Sequence, residues 1–538
     1  MRVRLRPAVA ASLIAMLVVG SAAWAAEPTV REAAARGDRV AALRLLATGA
    51  DPDAPGPDGT TALMWAAAND DPELVRALLA AGADAARWNH FGTSAMTEAA
   101  IIGSAPVIGL LLEAGVEPDA RNPEGETPLM AVARSGSVEA ARALLDGGAD
   151  LNATEAWGGQ SALMWAAARS QPDMVALLLS RGADPDARGV VRQWERKVIT
   201  EPRPKDLNKG GFTPLLYAAR EGCLECARYL ISAGADPDLS DPDRVSPLNM
   251  ALLNLHFDVA LSLIDGGADV DRWDLFGRSP LYMAADVSTL PMKGNGAMAV
   301  IPSEDAHTAL DVARRLLEAG ANPNLQLKRR PPYRDVPQDR GGDAILAQGA
   351  TPLLRAARAG DAPLVALLLE HGALVDLPSK EGVTPLMAAA GVEFGDRVTR
   401  GRNRTVDEVL ATMRLLLDAG ADLDARMVVE PRFAIPDGVS QAARYSRRLR
   451  GSQMPGPNAV PHQTALHGAA ERGLTAFVKL LADQGADLQA TDAYGRTALD
   501  MARGAGIQGV RPDGDAFPET ATLLESLMVG QGLPISAP

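Results

Sequence analysis

Short apolar blocks alternate with polar turns along nearly the whole chain. One block, ALMWAAA, occurs at 62–68 and again, letter for letter, at 162–168. A second phrase, close to LLxxGADxxA, recurs with its Gly-Ala-Asp turn beginning at Gly49, Gly82, Gly148, Gly182, Gly234, Gly267, Gly420 and Gly485. Counting a degenerate copy at Gly115, the first four steps are 33 or 34 residues long. Self-similarity at this period predicts an array built from one small unit.

Each unit of the pattern predicts two short helices and a turn. In residues 125–157, Thr127 is placed to cap a helix, and Pro128 suits its first position. Apolar residues three and four apart then give each helix one buried face. Gly148 suits the left-handed conformation that ends a helix. Because a single unit cannot bury its apolar face alone, neighbouring units are expected to stack into a continuous core.

The first helix of the unit resembles the T-P-L-H-x-A-A signature of the ankyrin-repeat family. The matching segments are TPLMAVA (127–133), TPLLYAA (213–219), SPLYMAA (279–285), TPLLRAA (351–357), TPLMAAA (384–390) and TALHGAA (464–470), with weaker copies from Thr61, Ser94, Ser161, Ser246 and Thr497. This resemblance implies an all-α solenoid of about twelve helix-turn-helix repeats. Members of the family mostly bind other proteins, so it also implies a protein-binding scaffold, by analogy.

The N-terminal segment, residues 1–25, predicts a signal peptide. Arg2, Arg4 and Arg6 precede an apolar stretch, and Ala23 and Ala25 fit a signal-peptidase site. The stretch is short for a membrane span, so we expect cleavage and no stable span afterwards; retention as an anchor is the alternative. Together with a composition rich in Ala, Gly and Arg, the signal predicts a bacterial periplasmic or secreted protein.

Two regions of the array are distinguished by their spacing. Regular repeats are predicted at 28–187. The repeats predicted at 188–530 are continuous with them but are interrupted by insertions. The insertions fall at about 187–210, 286–307, 326–348, 391–405 and 425–461. Basic residues outnumber acidic ones in four of them, although the chain carries a formal charge of −14. Such loops can be merely solvated, but their clustering in one half favours a docking surface for an acidic partner.

Aromatic residues on the first helices and on the turns between repeats, called fingers here, are candidate anchors for a partner protein. Exposed rings offer a large apolar area with few rotamers to order, although the same rings could pack against neighbouring fingers. The candidates are Trp65, Trp88, Phe91, Trp157, Trp165, Trp194, Phe212, Trp273 and Phe276. A rival hypothesis is an acidic glycan, lipid head group or metabolite bound by Arg329, Arg330, Arg447, Arg448 and Arg450.

Few residues suggest chemistry. Cys223 and Cys226 could form a disulfide, act in redox exchange, or be small residues of a helix turn; Ala227 stands where haem attachment needs His. The GAGIQG segment at 504–509 follows a helix rather than a strand, which argues against a dinucleotide site. We therefore expect no enzyme activity, no cofactor and no metal site. The negative charge argues against a nucleic-acid partner, and we expect a monomer.

Overall fold

The computed structural model describes residues 28–195, 206–288, 303–329, 348–392, 405–428, 462–504 and 516–535. The side chains of residues 193–195 and 206–209 are not among those described. The predicted signal peptide at 1–25 and much of the five insertions also lie outside the described residues.

The described residues form twenty-four helices in twelve consecutive pairs. In chain order they are α1 (Val30–Ala35), α2 (Arg39–Ala47), α3 (Ala62–Ala68), α4 (Pro72–Ala80), α5 (Ala95–Ile102), α6 (Ala105–Glu113), α7 (Pro128–Ser135), α8 (Val138–Asp146), α9 (Ala162–Ala168), α10 (Pro172–Ser180), α11 (Pro214–Glu221), α12 (Leu224–Ser232), α13 (Pro247–Leu253), α14 (Phe257–Asp265), α15 (Pro280–Ser288), α16 (Ala309–Glu318), α17 (Pro352–Ala359), α18 (Ala362–Glu370), α19 (Pro385–Ala390), α20 (Val406–Asp418), α21 (Ala465–Ala470), α22 (Thr475–Asp483), α23 (Ala498–Ala502) and α24 (Pro518–Gly530). Odd-numbered helices are the first of each pair. The predicted class, an all-helical repeat solenoid, is confirmed.

Capping residues fix where the helices of a pair begin. Before α11, the hydroxyl of Thr213 accepts the N–H of Leu216 at 3.3 Å, and Pro214 occupies the first helical position. Before α4, the carboxylate of Asp71 accepts the N–H of Leu74 at 3.0 Å. Each cap satisfies one of the N–H groups that a helix start leaves without a partner. The short polar residues between apolar blocks therefore set the length of each helix.

The chain divides into two compact units. Unit 1 comprises residues up to 99 together with 106–116, and within it α1 packs on α2 and α3, and α3 on α4. Unit 2 comprises residues 100–105 together with those from 117 onward. Within unit 2, each first helix from α7 to α21 packs on the next first helix, and each one from α7 to α23 packs on its own second helix. The small alanines of the repeated signature allow this close approach, and they are buried throughout unit 2.

The aspartates of the recurring Gly-Ala-Asp turn join one repeat to the next. The N–H of Asp269 donates to the carboxylate of Asp238 in the preceding turn at 3.0 Å, and the N–H of Asp271 donates to Asp269 at 2.9 Å. Burial raises the pKa of both Asp238 and Asp271. These carboxylates, two residues after the Asp of each Gly-Ala-Asp turn, therefore act as turn and repeat connectors.

The first insertion contains a two-stranded antiparallel hairpin, in addition to the helices. Strand β1 (Val191–Glu195) pairs with β2 (Asp206–Gly210), and Trp194 lies opposite Leu207. The N–H of Gly189 extends the pairing by donating to the carbonyl of Phe212 at 3.1 Å. The predicted all-α solenoid contained no strand in the insertion at 187–210, because the helical repeat pattern says nothing about pairing inside an insertion.

One turn within a repeat contains a correctable backbone strain. Glycine adopts the left-handed conformation between the helices of several pairs, as at Gly136 with φ 82°, whereas Ser170 adopts it with φ 54°. We expect Ser170→Gly to raise the free energy of unfolding by about 0.5–1 kcal/mol, because the side chain is exposed and only the strain is removed. Urea unfolding followed by circular dichroism measures this. Ser170→Ala retains the Cβ, so an equal gain in that variant would contradict the explanation.

Candidate functional site

Three neighbouring first helices of unit 2 bring aromatic rings and arginines together. The guanidinium carbon of Arg134, on α7, lies 5.1 Å from the ring centroid of Trp165 on α9. On α11, the guanidinium carbon of Arg220 lies 5.0 Å from the centroid of Tyr217 and 5.6 Å from that of Phe212. All three distances fall within the range of cation–π attraction. These contacts lie on three successive repeats and are called the band here.

A finger extends this band. Trp157 is 69% exposed, and the guanidinium carbon of Arg192 lies 4.3 Å from its ring centroid. The buried carboxylate of Glu155 accepts the N–H groups of Gly158 at 2.6 Å and Gln160 at 3.0 Å, which fixes the turn that presents Trp157. The band and this finger are named here the aromatic–arginine surface, made of Arg134, Trp157, Trp165, Arg192, Phe212, Tyr217 and Arg220.

Polar contacts hold the aromatic–arginine surface in place. The side-chain amide of Gln160 donates to the hydroxyl of Tyr217 and so connects the finger to α11. Burial raises the pKa of Tyr217, so its hydroxyl is neutral at physiological pH. The guanidinium of Arg134 also pairs with Glu126 at 2.7 Å. The indole N–H of Trp165 is buried and has no hydrogen-bond acceptor among the residues described.

Identical sequence segments have different surroundings in the two units. Trp65 occupies the same heptapeptide as Trp165 and is 37% exposed, but within the described chain no arginine or lysine lies over its ring. The segments RWNHFG (87–92) and RWDLFG (272–277) differ in the same way. Over Trp273 lie the guanidinium carbon of Arg244, at 4.0 Å, and the ammonium of Lys328, at 3.2 Å. The cations belong to neighbouring repeats, so the segment itself does not determine them.

The remaining sequence-predicted residues are not members of the aromatic–arginine surface. In unit 1, Phe91 is 75% exposed and Trp88 is half-buried. In unit 2, Phe276 is half-buried under the guanidinium of Arg278, 5.5 Å from its centroid. Arg329 is exposed.

The side chains of several predicted residues lie outside the described set. Trp194 lies in β1, but its side chain is outside the described set, as are Arg330, Arg447, Arg448 and Arg450. Conversely, the aromatic–arginine surface contains four residues that the sequence pattern did not indicate: Arg134, Arg192, Tyr217 and Arg220. The sequence contains a signal for two of these arginines. Trp165 and Tyr217 occupy the same position in their first helices, and Arg134 and Arg220 each lie three residues after that position in their own repeats.

A second polar region, the finger cleft, lies between fingers of unit 2. It has a volume of 710 Å³ and is lined by Trp273, Gly277, Leu325, Gln326, Leu327, Lys328, Gln348, Gly349, Pro378, Ser379 and Lys380. The ammonium of Lys380 donates to the side-chain oxygen of Gln348 at 3.2 Å. None of these described lining residues is acidic, so the cleft is locally basic in an acidic chain.

The two cysteines form a disulfide at the start of α12. The Cα atoms of Cys223 and Cys226 are 5.2 Å apart. In the part of the chain that the structure describes, His, Cys, Asp and Glu side chains form no group that could hold a metal ion. None of the helices described there combines the length and apolar character that crossing a bilayer requires.

Comparisons with known proteins all concern the repeats. A family model described as ankyrin repeats in three copies matches residues 31–122, 96–189, 215–292 and 303–427, and a single ankyrin-repeat model matches 462–493. Among curated proteins, the chain is similar to a putative palmitoyltransferase ZDHHC13 of Danio rerio, with 31% identity over 179 residues that cover 30% of this chain and 25% of that protein. It is also similar to ankyrin repeat and SOCS box protein 16 of Homo sapiens, with 32% identity over 233 residues that cover 43% of this chain and 40% of that protein.

A solved structure, the human ASB11 ankyrin repeat domain, matches with 24% identity and a TM-score of 0.37, over 45% of this chain and 98% of that one. The chain spans between a quarter and two fifths of the length of the two curated relatives. The palmitoyltransferase match covers only a quarter of that protein, so it does not transfer an enzymatic activity to this chain.

Proposed function

Since this chain belongs to the ankyrin-repeat family, whose repeats generally mediate protein–protein interaction, we propose that it is a non-enzymatic scaffold that binds a partner protein on the aromatic–arginine surface. The observation that carries the proposal is the exposed ring of Trp157 beside a band of rings covered by guanidinium groups. Trp, Tyr and Arg are the residues that most often dominate binding energy at interfaces.

The chemistry of this surface selects an acidic partner segment. Arg134 and Arg220 already pair with Glu126 and Glu221, each at 2.7 Å, so a partner carboxylate would share or replace these contacts. Charge-assisted hydrogen bonds of this kind are strong, and a guanidinium stacked on a ring can still make them at its edge. Because the chain as a whole is acidic, an acidic partner would be repelled elsewhere and guided to this surface.

The proposal places the scaffold in the periplasm or outside the cell. The N-terminal segment has the charge and apolar pattern of a signal peptide. A disulfide at Cys223 and Cys226 suits an oxidising compartment, since such bonds seldom persist in the cytosol.

The repeated heptapeptide supplies a matched test of the binding surface. We expect Trp165→Ala to weaken binding of an acidic partner segment at least about tenfold, and Trp65→Ala to change it less than about twofold. The probes are two labelled peptides of equal length and apolar content, one rich in Asp and Glu and one rich in Lys. Fluorescence anisotropy gives the dissociation constants.

Three outcomes would contradict the proposal. Equal losses in the two variants would place the binding elsewhere, preference for the basic peptide would reverse the predicted charge, and binding of neither peptide would remove the proposed partner class. Circular dichroism of both variants checks that the repeats remain folded.

A second candidate function rests on the finger cleft. Lys328 and Lys380 line it, and none of its described lining residues is acidic, which favours an acidic glycan, lipid head group or metabolite. Salt separates the candidates. A site made by lysines alone should lose most of its affinity at high ionic strength, whereas a ring-anchored interface should lose only part.

A further inference from the structure

We propose that Cys223 and Cys226 form an exchangeable redox couple that reacts with thiol compounds while the repeat stays folded. The couple lies at the start of α12, a second helix, and rests neither on the aromatic–arginine surface nor on export of the chain. It would add thiol–disulfide exchange to a protein otherwise proposed to bind a partner.

The two cysteines occupy the helix-capping positions of their repeat. In α8, Ser137 holds the cap position and its hydroxyl accepts the N–H of Ala140 at 3.4 Å. In α12, Cys223 holds the same position, and its sulfur accepts the N–H of Cys226 at 3.3 Å. Because other repeats make this cap without a covalent bond, the fold retains its geometry when the disulfide opens.

Exposure distinguishes the two sulfurs. Cys223 is 9% exposed, whereas Cys226 is fully buried, so an incoming thiol reaches Cys223 first. The helix of nine residues directs its first N–H groups and the positive end of its dipole at Cys223. The thiolate of Cys223 is stabilised in such a place, which makes it a better leaving group when the mixed disulfide is resolved. The nearby carboxylate of Glu225 is paired with Arg228 at 2.7 Å, which offsets its negative charge.

The exchange balances in two steps. A thiolate of the reductant attacks the sulfur of Cys223, the bond between the two cysteines breaks, and its electron pair goes to the sulfur of Cys226, which takes a proton from water. A second thiolate then attacks the reductant's own sulfur in the mixed disulfide and releases Cys223 as a thiolate. This thiolate takes the second proton from water, and the two protons replace those that the reductant thiols lost on ionising. Two thiols of the reductant become one disulfide, and the protein gains two electrons and two protons. The reductant is a low-molecular-weight thiol of the glutathione type or a dithiol protein.

The wild-type chain tests the proposal without any substitution. The protein is equilibrated with glutathione buffers of increasing reduced-to-oxidised ratio, quenched by alkylation, and analysed by mass spectrometry. We expect reversible conversion between disulfide and dithiol with an unchanged helical circular dichroism signal. A disulfide that stays oxidised until urea unfolds the chain, or reduction that removes helical signal, would mean that the bond is only structural.

Two variants then assign the reacting sulfur. In Cys226→Ala, where alanine matches Ala140 of α8, oxidised glutathione should form a mixed disulfide at Cys223. In Cys223→Ser, where serine matches Ser137, the same reaction at the buried Cys226 should be at least about tenfold slower. Similar rates in the two variants, or no reaction in either, would overturn the proposed asymmetry.

Discussion

Replacing Arg355 with methionine should lower the free energy of unfolding by about 3–5 kcal/mol. Arg355 is fully buried on α17, where its Nε donates to the carboxylate of Asp286 at 2.7 Å and its Nη2 to the carbonyl of Asp286 at 3.2 Å. Methionine fills similar space but removes the guanidinium from this buried ion pair, and losing one partner of a buried pair is costly. Urea unfolding followed by circular dichroism measures the loss.

Two further variants separate the buried charge from other effects of the change. Arg315 makes a comparable contact with Asp265 at 2.9 Å, but both side chains are exposed, so Arg315→Met should cost less than about 1 kcal/mol. Adding Asp286→Leu to Arg355→Met should recover more than half of the lost stability, because the buried carboxylate that lost its guanidinium is removed as well. Similar costs for Arg355→Met and Arg315→Met would show that burial does not decide the effect.

The pair also shows where prediction of the fold from sequence ends. Helix starts and turns follow from neighbouring residues: Pro128 begins α7 as predicted, and Gly148 adopts φ 94°. Asp286 and Arg355 are separated by 69 residues and belong to helices α15 and α17. Arg355 occupies the helix position that holds the partly exposed Trp165 and Tyr217 in other repeats. Its burial depends on its surroundings in unit 2, which a local pattern does not contain.

The candidate site was predictable in the same partial way. The sequence indicates Trp165 and Trp157 as rings on a first helix and a finger, but the cations over them come from α7 and from the hairpin insertion. The two identical heptapeptides at 62–68 and 162–168 would predict two identical sites. Of their two tryptophans, only Trp165 has an arginine over its ring in the described structure. The cation that lies over a ring therefore depends on the neighbouring repeats, whereas the position of the ring depends on its own repeat.

Replacing Asp241 with asparagine should stabilise the protein at pH 7 by about 2 kcal/mol, after allowance for solvent screening, and this gain should vanish below about pH 4. Burial, to which Asp243 and Asp274 add repulsion, raises the pKa of Asp241 from 3.8 to about 6. The folded state thus holds this proton more tightly than the unfolded state. Its stability therefore falls as pH rises from about 4 to about 6, and it stays lower above that range.

Other fingers show that asparagine fits at this position, and one of them supplies a matched control. Asn89 occupies the same finger position and accepts the N–H of Thr93 at 2.9 Å, as Asp241 accepts that of Val245 at 2.8 Å, so the turn should be preserved. Asp274 also occupies this position, but it pairs with Arg278, four residues later, at 2.6 Å. Asp274→Asn should therefore destabilise the protein at pH 7. Unfolding free energies measured from pH 4 to 8 give both effects. If both substitutions changed the unfolding free energy at pH 7 in the same direction, the arginine four residues later would not determine whether the buried carboxylate is tolerated.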